Sequence, residues 1–355
     1  MKQFFLFLLS GLCVNMHATV RTVSNDPSTL AQFNTIQAAV NASASGDTIY
    51  IHGSPIIYPS FTISDKRLTL MGPGWAPVKS FNAHPATIYD MTITGTGADN
   101  SEIHGLVVHV SVTISGSSHP NNLRFIRNQF KGAIYFLSAT AFSGFVFENN
   151  WFDGGLINAS SVTQHSNFLF SNNIFYATGN GNVSGLYTSQ NIIFDHNLWY
   201  GPSSSVVNAF GTNCRNLIIS NNIFVRRNAA TNNTGSQFND NITYNAGVND
   251  PWATTYGNSG DASNIENQNP QMFHQDSVNA GINNPQLDFT IAAGPANNSA
   301  SDGKDMGLMY DPVGLLNWAN SRLSRIPYIY SMHITNPLIS AGGTLNVQIE
   351  ARKTN

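Results

Sequence analysis

Charge is what this 355-residue chain has least of. Asp, Glu, Lys and Arg make up 10% of it, against roughly 25% in ordinary globular domains. The net charge of −3 excludes bulk attraction as a route to nucleic acid or an anionic membrane. A local patch for an acidic ligand stays compatible with it. Cysteine is nearly absent: Cys13 and Cys214 are the two. Cys13 falls in an N-terminal leader, so the mature chain has no intrachain disulfide, and Cys214 reads as a small buried filler. No apolar run is long enough to span a bilayer. The ten histidines do not fall at metal-ligand spacing with carboxylates, so no metal ligand set is assigned. No loop has calcium-motif spacing either, although Asp and Asn oxygens leave calcium open as a cofactor.

The leader is residues 1–18. Lys2 precedes the apolar stretch 4–9 (FFLFLL), and a small-residue cut site follows at Ala18, the pattern of a secretory signal. A lipid-attachment signal would place a small residue before Cys13, where Leu12 stands. Cleavage and release to an extracytoplasmic or cell-surface location is the expectation, with lipid anchoring the alternative.

What the chain has in abundance is Phe (22), Gly (29) and a repeated phrase. Residues 123–130 (LRFIRNQF), 145–152 (FVFENNWF), 168–175 (FLFSNNIF), 192–199 (IIFDHNLW) and 217–224 (LIISNNIF) share the template apolar-x-apolar-x-x-Asn-x-aromatic. The fixed residue is Asn128, Asn150, Asn173, Asn197 and Asn222, at steps of 22 to 25 residues, and a weaker copy places Asn241 in register. A recurring unit of this length is a solenoid signature. The period-two opening is a strand, and the Asn marks a bend. Stacked about 4.8 Å apart, the amides can donate and accept along a buried row, and the aromatic rings form a second row.

Two solenoids fit. A leucine-rich-repeat-like solenoid needs a helical return path. The return segments 154–162 (GGLINASSV) and 201–209 (GPSSSVVNA) are short and broken by Gly, Pro and Ser, so strand and turn fit them better. The expected fold is all-β: a single right-handed parallel β-helix. Residues 19–45 form an N-terminal capping segment with a helix over 28–42 and Ser28 as N-cap. Residues 46–311 form the solenoid, and 312–355 a C-terminal β tail packing on it.

Residues 33–40 (FNTIQAAV) followed by 46–53 (GDTIYIHG) resemble the opening of pectate lyase-like right-handed β-helix proteins. Residues 294–296 (GPA) followed by 302–307 (DGKDMG) resemble the closing phrase of many secreted members. The resemblance covers most of residues 20–310 and implies a secreted carbohydrate-active protein acting on an acidic polysaccharide as a lyase. The alternative is a non-catalytic glycan-binding or adhesive module, so whether the chain is an enzyme stays open. The polygalacturonase phrases N-T-D, D-D, G-H-G and R-I-K are missing. Residues 193–196 (IFDH) resemble the lyase phrase W-I-D-H. The nearest match to the lyase arginine phrase, 325–330 (RIPYIY), ends on Tyr330.

Geometry supplies the site candidates. The residue after each final aromatic stacks in a column: Lys131, Asp153, Tyr176, Tyr200, then Val225 beside Arg226. Lys131 is the candidate base, Asp153 the residue that holds a cation or a hydroxyl, and Tyr176, Tyr200 and Arg226 the substrate contacts. The plain structural alternative is a cross-strand Lys131–Asp153 pair beside two solvent-facing tyrosines. A second expectation concerns Val146, Leu169, Ile193 and Ile218, an outward apolar stripe that residues beyond 312 should cover.

Overall fold

The computed structural model describes residues 18–76, 84–155, 157–159, 164–179, 181–187, 190–310, 316–321, 328–334 and 344–352. Residues 1–17 of the expected leader lie outside them. The chain is a right-handed parallel β-helix, and a helix in every repeat, which the leucine-rich alternative needs, is absent among the described residues. One sheet has 11 parallel strands, from Val20–Val23 to Ser259–Gly260. It begins ahead of residue 46, because Val20–Val23 pairs with Thr48–Ile51.

The second sheet runs in two lanes, joined where the strands Ala86–Thr94 and Leu106–Ser115 are long enough to serve both. One lane follows the Asn bend and holds Gln129–Phe130, Trp151–Asp153, Ile174–Tyr176, Leu198–Tyr200, Ile223–Val225 and Ile242–Tyr244. The other holds Phe61–Ser64, Ala133–Leu137, Ile157–Ala159 and Val183–Ser184. Phe130 pairs with Val108 and Ala133 with Ser111, so Lys131 and Gly132 stand opposite His109 and Val110 at the corner between lanes.

Two internal rows hold the coils in register. Phe125, Phe147, Phe170 and Phe194 stack at 5.1, 4.7 and 4.4 Å with near-parallel rings. Phe130, Phe152, Phe175, Trp199 and Phe224 form the second aromatic row. Beside them, each Asn Oδ1 accepts both the backbone N–H and the side-chain amide of the Asn one coil earlier. Asn173 Oδ1 does so from Asn150 at 2.8 and 3.1 Å, while Asn150 Nδ2 also donates to Phe125 O at 2.8 Å. The row ends with Asn128 Oδ1 accepting from Leu106 N and with Asn264 Oδ1 accepting from Asn241. The buried amides of the row are thereby satisfied by the next Asn together with backbone groups of the coil before. The left-handed bend itself sits one residue earlier than expected: Arg127, Asn149, Asn172, His196, Asn221 and Asp240 have φ between 53 and 59°.

At the N-terminus the helix is shorter than expected. It covers Ile36–Ala42, is capped by Thr35 rather than Ser28, and buries Ile36, Ala39 and Val40 against the first coils. Ser28 lies in a turn. Buried Asp47 fastens the first strand by accepting from Thr19 N, Ala44 N and Arg21 Nε. Burial raises its pKa, but these donors outweigh burial and hold the carboxyl below its ordinary value.

The C-terminal part corrects the covering expectation. Val146, Leu169, Ile193 and Ile218 stay partly open to solvent. The cover lies instead over the lane that follows the Asn bend, and it starts well before residue 312. Met272, Val278, Phe289, Ile291, Met306, Leu308 and Trp318 form a second hydrophobic core with Ile174, Leu198, Tyr200, Ile223 and Ile242. Parts of the tail expected to supply the cover, residues 311–315 and 322–327, lie outside the described residues. Tyr328–Ile334 and Val347–Arg352 form an antiparallel hairpin; Ile334, Val347 and Ile349 are exposed.

Candidate functional site

The strap formed by residues 270–310 decides what the predicted column can do. Asp153, Tyr176, Tyr200 and Val225 do stand in register on adjacent strands. The loop 281–284 then closes over them. Tyr176 OH donates to Gly281 O at 3.2 Å and Tyr200 OH to Ile282 O at 3.3 Å. Asp153 accepts from Gln129 Nε2 at 2.8 Å and from Asn283 Nδ2, and Trp151 Nε1 donates to Asn283 Oδ1 at 3.2 Å. Gly281 (φ 69°) passes so near that a Cβ would come within 2.6 Å of Ser203 N, which explains glycine there.

Tyr200 is therefore fully buried, not solvent-facing. Burial drives its phenol far above the ordinary range, and burial followed by Asp153 raises Tyr176 as well. The Tyr200 ring is therefore not free to stack on a sugar, while the Tyr176 ring is partly exposed with its hydroxyl committed to Gly281 O. Lys131 is exposed and makes no ion pair with Asp153 among the described residues. The strap thus separates the five predicted residues: Asp153, Tyr176 and Tyr200 lie under or against it, whereas Lys131 and the partly exposed Arg226 do not. The cross-strand Lys131–Asp153 pair is likewise not formed.

The same strap absorbs the lyase-like phrase at 193–196. Asp195 Oδ1 accepts from Ser220 Oγ at 2.9 Å and from Asn221 Nδ2 at 2.7 Å. His196 is buried; its Nδ1 lies 3.1 Å from Gly307 O and its Nε2 3.6 Å from Asp302 Oδ2. Asn172 and Asn221 also hold the strap, through Met309 N, Leu316 O, Ser301 N and Ser301 Oγ. Arg325, of the arginine-containing phrase, lies outside the described residues.

What remains open is the outer face of the other lane. Thr62, Thr92, Thr113, Tyr135, Asn158 and Ser184 occupy equivalent positions on successive strands, one hydrogen-bonded strand apart. Ser64, Thr94, Ser115 and Leu137 run beside them. All are partly or fully exposed, and none carries a charge. Along the adjoining corner, Ile57, Tyr89 and Val110 are also exposed, with the Tyr89 ring centroid 6.1 Å from that of His109. The sequence signal for this face is the alternation in 90–94 (DMTIT) and 111–115 (SVTIS), where the apolar residues point in and the hydroxyls out. Among the described residues, no group of three or more His, Cys, Asp or Glu side chains could hold a metal ion.

No protein-family model matches the chain. No curated protein matches it.

Proposed function

We propose that this protein is a secreted carbohydrate-binding β-helix whose open lane holds a polysaccharide along the solenoid axis. The observation that carries the reading is the uncharged row from Thr62 to Ser184, bordered by Tyr89 and containing Tyr135. Adjacent strands lie about 4.8 Å apart, close to the length of one sugar ring. Hydroxyl and amide side chains at that repeat suit the hydroxyls of successive sugars, and a tyrosine ring suits a pyranose face. The leader at residues 1–18 supports export, and the resemblance to pectate lyase-like proteins supports a polysaccharide partner.

A lyase-like activity on an acidic polysaccharide is the second reading. Lys131 favours it: it is exposed at the corner between the lanes and has no ion pair among the described residues. Its proposed partner Asp153 is already engaged by Gln129 and Asn283, so the binding reading ranks first. The test is a glycan panel that includes polyuronates. Retention of a polysaccharide by the parent and its loss in Tyr135→Ala support binding. Ultraviolet absorbance from unsaturated uronate ends, measured with and without calcium, would put catalysis first.

A further inference from the structure

Arg226 stands at a corner of the solenoid in a left-handed conformation, φ 54°, where an L side chain is disfavoured. The corner after Asp153 uses Gly154, φ 74°, for the same bend. Arg226 is followed by Arg227, which is wholly buried and among the described residues bonds to two neutral acceptors, Ala177 O and Asn182 Oδ1. Among the described residues neither arginine has a carboxylate within ion-pair distance. Among the described residues Arg226 makes one side-chain hydrogen bond, from Nη1 to Ser203 O at 2.8 Å, and its buried Nε has no partner.

The Arg226 side chain lines an open pocket of about 480 Å³ with Asn245, Gly247, Val248, Asn249 and Asn267. The Asn267 amide is occupied by Ala246 N and Val248 O. Asn245 and Asn249 are exposed. Among the described residues the Asn245 and Asn249 amides have no partner and no acid lines the pocket, and a cation beside such amides is the chemistry of an oxyanion site.

We infer that this pocket takes a small oxyanion, the carboxylate of a uronate or the sulfate ester of a sulfated sugar, with Arg226 as its cation and Asn245 and Asn249 as amide donors. The sugar to which the oxyanion belongs rests on the glycan reading above; the oxyanion site itself does not. Its corner lies toward the C-terminal end of the solenoid, past the strand Val183–Ser184 that ends the open lane.

The test uses the full chain and three probes: glucuronate, its neutral methyl ester and inorganic sulfate, titrated calorimetrically at low and high salt. Glucuronate or sulfate should bind, the ester should not, and added salt should weaken binding. Arg226→Gln should weaken binding by about tenfold or more, the scale of one charge-assisted contact. Arg226→Gly should do the same without lowering the melting temperature, because glycine relieves the left-handed backbone, so a folding defect cannot mimic the result. Tighter binding of glucuronate assigns a uronate, and tighter binding of sulfate a sulfated sugar. No oxyanion binding, equal binding of the ester, or unchanged binding in both variants overturns the proposal. If neutral glycans still bind through Tyr135, only the pocket falls. If oxyanions bind through Arg226 but no polysaccharide binds, only the glycan reading falls.

Discussion

Two outward faces of this solenoid have the same origin and opposite fates. Both consist of side chains that alternate outward from short parallel strands. The face holding Tyr176 and Tyr200 is sealed beneath residues 270–310, with its hydroxyls bonded to strap carbonyls. Among the described residues no segment covers the face holding Thr92, Thr113 and Tyr135, whose side chains stay partly exposed. Alternation determines which side chains leave the core. Whether they reach water depends on a segment from elsewhere in the chain, and that difference moves the binding surface from one lane to the other.

Breaking the sealed face should have the largest effect. Tyr200→Ala is expected to cost about 3–5 kcal/mol, the range for deleting a buried aromatic, measured by denaturant unfolding. A loss below about 1 kcal/mol would mean that the strap does not bury this ring in solution. The sequence alone makes Tyr200 a substrate contact or a solvent-facing ring; the fully buried ring reverses that expectation.

The bend residues sharpen the comparison at a smaller scale. Asn173 points inward and is satisfied by Phe147 O and Asn197 Oδ1. Its neighbour Asn172 is also buried, on the outer side of the coil, where it bonds to Met309 N of the strap and to Leu316 O beyond it. Both Asn173→Ala and Asn172→Ala should cost about 1–3 kcal/mol, the usual range when a buried partner is left unsatisfied. A neutral Asn172→Ala alongside a costly Asn173→Ala would show that the strap is not latched at this bend.

Alkaline pH probes the seal without truncating a side chain. Burial raises the Tyr200 phenol above its unfolded value, which is about 10. The stabilisation is fully present below that pH and is lost as pH climbs toward the folded value, because the unfolded chain releases the proton first. Tyr200→Phe should flatten the alkaline fall in stability. Identical alkaline profiles for parent and Tyr200→Phe would contradict the seal.

These expectations also mark where the sequence could be read. The coil and its two rows were legible because Asn128 through Asn222 and their neighbouring aromatics recur at steps set by one turn of the helix. The matched amides come from that same repeat. The strap was not legible, because its partners are remote: Tyr176 and Gly281 are 105 residues apart, Asp153 and Asn283 130, and Asn172 and Met309 137. Residues 245–284, rich in Asn and Gly, carry no periodicity that would assign them to a face. The open lane left a trace, the alternating hydroxyls at 90–94 and 111–115, but it lay outside the phrase that defines the ladder.

The smallest expected change in stability belongs to the most informative variant. Tyr135→Ala removes a partly exposed ring from the open lane and should shift stability by no more than about 0.5 kcal/mol. Retention of parent and variant on a panel of immobilised polysaccharides, with melting temperatures measured in parallel, tests the glycan reading directly. The account predicts that at least one polysaccharide retains the parent, and that Tyr135→Ala loses that retention with its melting temperature nearly unchanged. Equal retention of both proteins, or no retention of the parent by any polysaccharide, would contradict it.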